Sequence, residues 1–307
     1  MTAVTVWLPE PDAVEVMGGL PEGMRADIWT GGEPLPASAG EVSVVVPPFA
    51  EARPNLSLLA RLPKLRLIQL MSAGAERALP YVPPGVTLCN ARGAHDPAVA
   101  EWIIGVIIAQ LRMLPTFVEA QHQGKWDSAT GESLAGKTLL IVGYGSIGEA
   151  LEARLDGFGV LVERISREPR AGVGGLADLP SALPRADIVV LLVPVTPATQ
   201  GMVDAAFLAR MRDHALLVNA ARGAIVDSAA LLAELKSGRL RAALDVTDPE
   251  PLPAGDPLWS TPGLLLTPHI AGSVFEARPR AYAIVREQLA AFASGQPLKN
   301  VIGAQGY

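Results

Sequence analysis

Cysteine is almost absent from this sequence. Cys89 is the only one among 307 residues, so a disulfide within the chain is impossible. Disulfides are rare in reducing compartments, and we therefore expect a cytoplasmic protein. Cys89 ends an apolar run at 86–89, which indicates a buried structural thiol rather than a nucleophile.

Long basic runs and long apolar runs are also missing. The net charge is −6 and no stretch is rich in lysine and arginine, which argues against nucleic acid as a partner. The longest apolar stretch, at 103–111, is interrupted by Gly105 and Gln110 and is too short to span a bilayer. Residues 1–9 lack the basic segment and cleavage site of a signal peptide. We expect no membrane partner, no signal peptide and no bound metal.

What the chain does contain is enough apolar sequence for two α/β domains. Half of its residues are hydrophobic and 18% are charged, which is typical of a globular protein. Short β-rich runs bounded by proline or glycine predict strands at 4–8, 42–46, 67–70 and 86–89. A helix with an N-terminal proline is predicted at 54–61. This alternation predicts a first, smaller domain at 1–91 with a parallel sheet covered on both faces.

The sequence GYGSIG at 143–148 follows an apolar run and precedes a helical pattern. Gly143 permits a tight turn, Gly145 permits close approach of a pyrophosphate, and Gly148 permits packing of helix on strand. The N-terminus of the helix directs N–H groups and its positive dipole end at the phosphates. The pattern favours a dinucleotide-binding loop over a glycine-rich turn that binds nothing.

A second domain is predicted at 92–270, and residues 271–307 are predicted to return to the first domain. Asp227 is a predicted N-cap of a helix that ends at Gly238, and the last helix is predicted at 277–292. A helix at 95–113 is apolar nearly all round, which indicates burial on more than one side: in a subunit interface or between two domains. The further predicted strands are 160–165, 187–193, 215–219, 240–246 and 264–266.

Arg222, Glu250 and His269 each follow the end of a predicted parallel strand. Open α/β sheets build their sites at that edge, so three loops are expected to deliver these side chains to one crevice. A guanidinium binds a carboxylate and polarises the neighbouring carbonyl. An imidazolium donates a proton near neutral pH, and an adjacent carboxylate orients it. The set suits hydride transfer to a 2-keto acid, although each residue taken singly is equally compatible with a structural role.

Five stretches of the second domain resemble the D-isomer-specific 2-hydroxyacid dehydrogenase family: 143–148, 193–199, 218–227, 244–253 and 267–272. MSAG at 71–74 and the helix start at 95–101 extend the resemblance. It implies a Rossmann dinucleotide-binding domain inserted in a smaller flavodoxin-like substrate domain, and a homodimer formed through the helix at 95–113. It implies Arg222 as substrate binder, His269 as acid/base and Glu250 as its partner.

The resemblance also implies contacts to ligands. Local sequence alone favours an ordinary turn at 72–74, whereas the family implies that Ser72, Ala73 and Gly74 bind the substrate carboxylate through their backbone. The implied cofactor contacts are Gly143, Gly145, Ser146, Ile147, Gly148, Ser166, Arg167, Pro194, Thr199, Ala220, Ala221, Asp245, His269 and Gly272.

Ser166 and Arg167 stand where relatives that prefer NAD carry an acidic residue for the ribose hydroxyls. A serine and an arginine suit a 2′-phosphate, so we predict that NADP(H) is preferred and NAD(H) possible. The alternatives are a solvated Arg167, or Glu163 or Glu168 serving as the acid in a shifted register.

The predicted activity is reduction of small 2-keto acids, such as glyoxylate or hydroxypyruvate, to D-2-hydroxy acids. The alternatives within this reaction class are another keto acid, or phosphite with NAD. Relatives that oxidise formate carry Gln where Glu250 stands, which disfavours that branch. An alternative of another class is a dinucleotide-sensing, corepressor-like binding protein.

Overall fold

A computed structural model describes residues 3–49 and 52–303. The strands are β1 (Val4–Leu8), β2 (Met24–Ile28), β3 (Val42–Val45), β4 (Leu67–Gln69), β5 (Thr87–Cys89), β6 (Thr138–Val142), β7 (Leu161–Ile165), β8 (Ile188–Leu191), β9 (Leu216–Asn219), β10 (Arg241–Leu244), β11 (Leu264–Leu266) and β12 (Val301–Ile302). The α-helices are α1 (Ala13–Val16), α2 (Asp96–Leu111), α3 (Leu114–His122), α4 (Ser146–Leu155), α5 (Leu179–Ala182), α6 (Ala205–Arg210), α7 (Ser228–Lys236) and α8 (Ala277–Ser294).

The chain forms two compact units, each built on a six-stranded sheet. The first contains the described residues up to His95 and from Val274 onward, compared with predicted limits of 91 and 271. Its strand order is β12-β5-β4-β3-β1-β2, and every pairing is parallel except that of β12 with β5. Apolar clusters that include Val6 and Leu67 on one side, and Trp7 and Ile68 on the other, cover both faces.

The second unit, Asp96–Ser273, is parallel throughout its described strands, in the order β11-β10-β9-β8-β6-β7. Its central strands β6, β8, β9 and β10 are buried between two apolar clusters, whereas the edge strands β7 and β11 are mostly half-buried. The chain reverses its direction across the sheet between β6 and β8, because β7 lies on one side of β6 and β9 to β11 lie beyond β8. Such a switch point, at the carboxyl ends of the strands, is where open α/β sheets bind ligands.

Two predictions for the first unit were wrong or incomplete. Residues 54–61 were predicted as a helix, but only Leu56–Arg61 is helical, and it is a 3-10 helix. Asn55 N donates to Gly31 O at 2.7 Å, which holds the preceding chain away from a helical path. Strand β2 was missed because it lies at the sheet edge, where Met-Arg-Ala-Asp-Ile is only half buried and has no apolar run.

Helix α2 is packed within the second unit. Ile103, Ile107 and Leu111 belong to the same apolar cluster as Leu151 and Leu155 of α4. Among the described residues no single helix is long and apolar enough to cross a membrane, and α2 and α3 meet that criterion only as a pair bent by 67°. The burial of α2 therefore already explains much of its apolar sequence.

Cys89 is buried in the first unit, as predicted. Burial raises the pKa of its thiol to about 11, although a hydrogen bond involving Gln288 opposes the shift. Because the thiolate is the reactive form of cysteine, we expect Cys89 to be unreactive near neutral pH.

We expect native protein at pH 8 to resist alkylation by iodoacetamide, and urea-unfolded protein to be labelled fully at Cys89. Mass spectrometry of the intact protein gives both results. The Cys89→Ser variant is the control for labelling at other residues. Equal labelling rates in the native and unfolded states would contradict the buried thiol.

Candidate active site

The loop after β6 has the backbone of a dinucleotide-binding turn. Gly143 has a φ of +102°, and a Cβ there would lie 2.6 Å from the carbonyl carbon of Leu192 and the nitrogen of Val193. No side chain fits at this contact, which brings the loops after β6 and β8 together at the switch point. The loop therefore lies where a dinucleotide is expected to bind.

Helix α4 starts directly after this turn. A Cβ on Gly148 would lie 3.0 Å from Tyr144 Cδ2 and 3.3 Å from Ile141 Cγ2, so glycine permits close packing of helix on strand. The first turn of α4 contains Ser146, Ile147 and Gly148. The positive end of the helix dipole, together with first-turn N–H groups, suits a pyrophosphate. The glycine loop thus fits a dinucleotide.

An ion-paired network braces the same loop. Tyr144 Oη donates to Glu152 Oε2 at 2.5 Å, and Arg164 Nε donates to that oxygen at 2.7 Å. Burial and the bond to Glu152 both raise the pKa of the Tyr144 hydroxyl, whereas the bond from Arg164 lowers the pKa of Glu152. Tyr144 therefore remains a neutral donor, and its ring is held beside the glycine turn.

The loop after β7 gathers polar and basic side chains. Ser166 is nearly buried, and its Oγ donates to Glu168 O at 2.6 Å. Arg167 is 68% exposed and lies 3.7 Å from Glu168 Oε1. Arg170, which sequence reasoning missed, donates to Ser166 Oγ at 3.3 Å and to Tyr144 O at 3.0 Å. The signal for it in the sequence was another arginine close to Ser166 and Arg167 in the chain. Two guanidinium groups therefore accompany Ser166 at the end of β7.

Thr199 fixes the conformation of the loop after β8 through hydrogen bonds to its backbone. Its Oγ1 donates to Pro194 O at 2.6 Å and accepts a hydrogen bond from Thr196 N at 2.8 Å. Thr199 is buried, so these bonds hold the loop in one shape. Pro194 and Thr199 thus help to shape the loop that meets Gly143.

Asn219, at the end of β9, shapes the turn that carries Arg222. Its buried amide accepts a hydrogen bond from Ala221 N at 3.0 Å and donates one to Arg222 O at 2.9 Å. The turn therefore includes Ala220 and Ala221, and Arg222 Nη1 donates to Ala221 O at 2.6 Å. This turn determines where the Arg222 side chain leaves the backbone.

Gly223 joins the Arg222 turn to the loop after β10. A Cβ there would lie 2.0 Å from the carbonyl carbon and oxygen of Thr247. Two backbones meet at this point, so any side chain at 223 would force them apart. The contact was not foreseen from the sequence, and it places the loops of Arg222 and Glu250 side by side.

The buried carboxylate of Asp245 organises the loop that carries His269. Asp245 Oδ1 accepts hydrogen bonds from Thr267 Oγ1 at 2.5 Å and from Ile270 N at 2.8 Å, and Oδ2 accepts one from Ala271 N at 2.8 Å. His269 N also donates to Asp245 O at 2.7 Å. The loop, which continues into Gly272, is thereby fastened to the end of β10.

His269 and Glu250 are brought together by these loops. His269 Nδ1 lies 2.5 Å from Glu250 Oε1, and the two side chains are 44% and 37% exposed. His269 has a φ of +57°, an uncommon conformation for a residue other than glycine. Such strain occurs at functional sites, and here the bonds to Asp245 on both sides of the residue hold it. The pair is able to hold and transfer a proton at the imidazole.

In the first unit, the segment 72–74 is fixed through its carbonyl groups. Ser72 O accepts from Ala91 N at 2.9 Å, and Ala73 O accepts from Asn90 Nδ2 at 2.6 Å. Ser72 Oγ donates to Gly74 O at 3.2 Å. These bonds fix the peptide planes of the segment that was predicted to bind a carboxylate.

Residues 104–271 match the model of the D-isomer specific 2-hydroxyacid dehydrogenase NAD binding domain, which is more than half of the chain. The chain belongs to the D-isomer specific 2-hydroxyacid dehydrogenase family. As a member of this family it is an NAD(P)-dependent oxidoreductase acting on 2-hydroxy acids.

Relatives within the 2-hydroxyacid dehydrogenase family are similar over most of the chain. Glycerate dehydrogenase from Methylorubrum extorquens is 33% identical over 80% of this chain and 81% of its own length. Glyoxylate/hydroxypyruvate reductase B from Citrobacter koseri is 34% identical over 82% of each chain. A crystal structure of a D-isomer specific 2-hydroxyacid dehydrogenase from Xanthobacter autotrophicus Py2, in complex with NADPH and MES, is 28% identical with a TM-score of 0.87 over 99% of each chain.

Because the Asp245 carboxylate accepts these hydrogen bonds, an uncharged side chain at this position is expected to lower the stability of the protein. In this 2-hydroxyacid dehydrogenase, Asp245→Asn turns an NH₂ group toward the backbone N–H of Ala271 or of Ile270, each of which needs an acceptor. We expect the free energy of unfolding to fall by about 2 kcal/mol, measured by urea denaturation. Asp248→Asn is the control, because Asp248 is exposed on the same loop and surface changes alter stability by about 0.5 kcal/mol or less. Equal unfolding midpoints for the two variants would contradict the role of Asp245.

Proposed function

We propose that this protein is an NADPH-dependent reductase that converts small 2-keto acids, such as glyoxylate and hydroxypyruvate, to D-2-hydroxy acids. The observation that carries the proposal is the 2.5 Å contact of His269 with Glu250, on loops that follow adjacent parallel strands. The contact of Gly223 with Thr247 places the Arg222 loop next to them. The D configuration is implied by the family.

The roles of the three side chains follow from their chemistry. NADPH, when bound at the glycine loop, supplies the hydride that reaches the carbonyl carbon. Arg222 binds the substrate carboxylate and draws electron density from the carbonyl. His269 Nδ1 faces Glu250, so Nε2 is the nitrogen that donates the proton to the carbonyl oxygen. Glu250 accepts the Nδ1 hydrogen bond and balances the charge of the imidazolium.

The backbone of Ser72, Ala73 and Gly74 is proposed as a further carboxylate contact. Its three carbonyl groups are held by hydrogen bonds, which limits how the peptide planes can turn. A rigid backbone loses little entropy when it binds a small anion. The proposed carboxylate binder is therefore preorganised.

Changing His269 to Gln removes the proton donor and keeps a polar side chain. We expect kcat for glyoxylate to fall about 10³-fold, since positioned proton transfer contributes about 10²- to 10⁴-fold. Glu250→Gln keeps an acceptor oxygen but removes the charge, and we expect a smaller loss. The decay of NADPH absorbance at 340 nm measures both variants.

The matched control is His214→Gln, because His214 lies in the turn before β9 and has no proposed part in the reaction. A His269→Gln variant as active as His214→Gln would overturn the mechanism. If the unaltered protein binds NADPH tightly but reduces no keto acid in a broad panel, a nucleotide-sensing protein is favoured.

The preference for NADPH is supported by the loop after β7. Ser166 follows the last residue of β7, and no acidic side chain stands at that position. Glu163 accepts a 2.9 Å hydrogen bond from Arg185 Nε, which disfavours it as a ribose ligand. Arg167 and Arg170 bring guanidinium groups that suit a 2′-phosphate. NAD(H) remains a possible second cofactor.

Replacing Ser166 by Asp and Arg167 by Ala removes the proposed phosphate contacts and adds a ribose acceptor. We expect the ratio of kcat/KM for NADPH to that for NADH to fall about 100-fold, because hydrogen bonds to charged groups contribute about 1.5–3 kcal/mol each. Arg212→Ala is the control, since Arg212 is an exposed arginine paired with Asp187. An unchanged ratio in the double variant would refute the assignment.

The homodimer predicted through residues 95–113 stays a prediction. The chain continues from α2 into α3, where Leu114 and Val118 are 48% and 51% exposed, and Trp126 beyond it is 99% exposed. Exposed large apolar side chains in one segment are compatible with a subunit contact. They lie next to the predicted interface helix.

A further inference from the structure

The first unit contains a cleft of about 460 Å³ at the carboxyl ends of β3 and β4. Phe49 after β3 lines it, and so do Met71, Ser72 and Gly74 after β4. Pockets for ligands of drug size start at about 300 Å³, so the cleft has far more room than glyoxylate needs. Since Ser72 and Gly74 are the proposed carboxylate contacts, the rest of the cleft is available to the substrate side chain.

Two arginines, Arg53 and Arg77, also line this cleft. We propose that they make the protein select 2-keto acids whose side chain carries a second anionic group, a carboxylate or a phosphate. The inference rests on the proposed function, because it assumes that the α-carboxylate is bound at 72–74. It adds a substrate class to that function.

The backbone that follows Arg53 is held in place. Arg53 has a φ of +48°, in the left-handed region that favours glycine. The neighbouring Asn55 N donates to Gly31 O at 2.7 Å, and Pro54 packs so closely on Gly31 that a Cβ there would lie 2.8 Å from Pro54 Cβ. The Arg53 backbone is thus kept in a conformation that is costly for a residue other than glycine.

Arg77 stands on an equally fixed turn. Its neighbours Ala75 and Ala78 are 1% and 5% exposed, and Ala78 N donates to Ala75 O at 2.9 Å. Leu79 N donates to the same oxygen at 3.0 Å. The buried alanines anchor the turn, while the Arg77 side chain is exposed and borders the cleft.

The charge of these two arginines is not balanced by a protein anion within residues 3–49 and 52–303. None of the ion pairs or side-chain hydrogen bonds of those residues involves Arg53 or Arg77. Two other arginines of the same unit do have a carboxylate partner: Arg61 pairs with Glu33 and Arg278 with Glu10. The described lining of the cleft contains no carboxylate either. Among the described residues, the two guanidinium groups of the cleft therefore have no carboxylate as counter-ion.

The remaining residues of the cleft favour a substrate whose second anionic group lies at the end of an aliphatic side chain. Pro48, Phe49, Leu70 and Met71 add apolar side chains to the lining of the same cleft. The methylene groups of a substrate side chain pack favourably on such apolar residues. Guanidinium groups bind carboxylate and phosphate in the same bidentate manner.

The test compares substrates of equal length with and without the second charge. We expect kcat/KM for 2-oxoglutarate to exceed that for 2-oxopentanoate by about tenfold or more. We expect a similar ratio between kcat/KM for 2-oxoadipate and kcat/KM for 2-oxohexanoate. A parallel pair, phosphohydroxypyruvate and hydroxypyruvate, shows whether a phosphate is selected as a second anionic group. Because both arginines are exposed, the ratios are expected to fall as salt is raised from 20 to 500 mM.

The Arg53→Gln, Arg77→Gln double variant should lose about tenfold in the diacid to monoacid ratio. Arg61→Gln removes a positive charge from the same unit, outside the cleft, and should leave the ratio unchanged. Circular dichroism of the double variant shows whether it is folded. A folded double variant with the unaltered ratio would overturn the inference.

The inference and the proposed function fail in different ways. Turnover of glyoxylate together with equal kcat/KM for diacid and monoacid overturns the inference and leaves the function standing. If no keto acid is reduced, the function fails, and calorimetry then decides the inference. Tighter binding of 2-oxoglutarate than of 2-oxopentanoate, lost in the double variant, supports the anion site, and equal binding overturns it.

Discussion

The carboxylate of Asp245 is the group on which the loop around His269 in the second unit depends. It is buried at the end of β10 and accepts hydrogen bonds from Thr267, Ile270 and Ala271, on both sides of His269. A buried carboxylate is costly unless its oxygens are bonded, so the loop must keep this shape. The same bonds hold His269 in an uncommon backbone conformation and set its ring against Glu250.

Close backbone contacts serve the same purpose elsewhere in this unit. Gly143 meets the chain at Leu192, and Gly223 meets it at Thr247, with no room for a side chain at either glycine. Loops from neighbouring parallel strands are thereby locked to one another. Exposed, charged side chains then project from a backbone that has little freedom, which is the arrangement that precise positioning requires.

The first unit uses related means around its cleft. Its turns are anchored by buried alanines and by the contact of Pro54 with Gly31, whereas Arg53 and Arg77 stay exposed. Exposed ion pairs contribute little to stability, and the role proposed for these two guanidinium groups is discrimination between ligands. Under the proposed function, substrate choice would depend on the first unit, and proton transfer on the second.

The sequence alone determined the features that are local along the chain. Alternating strands and helices predict a parallel sheet, and the carboxyl ends of its strands share one edge, so Arg222, Glu250 and His269 were expected together. Only the tertiary structure decided which distant backbones touch, how Asp245 directs its oxygens, and that Arg53 and Arg77 border one cleft. Local patterns encode a strand or a turn, whereas contacts between distant residues depend on how the strands and the loops between them are packed in three dimensions.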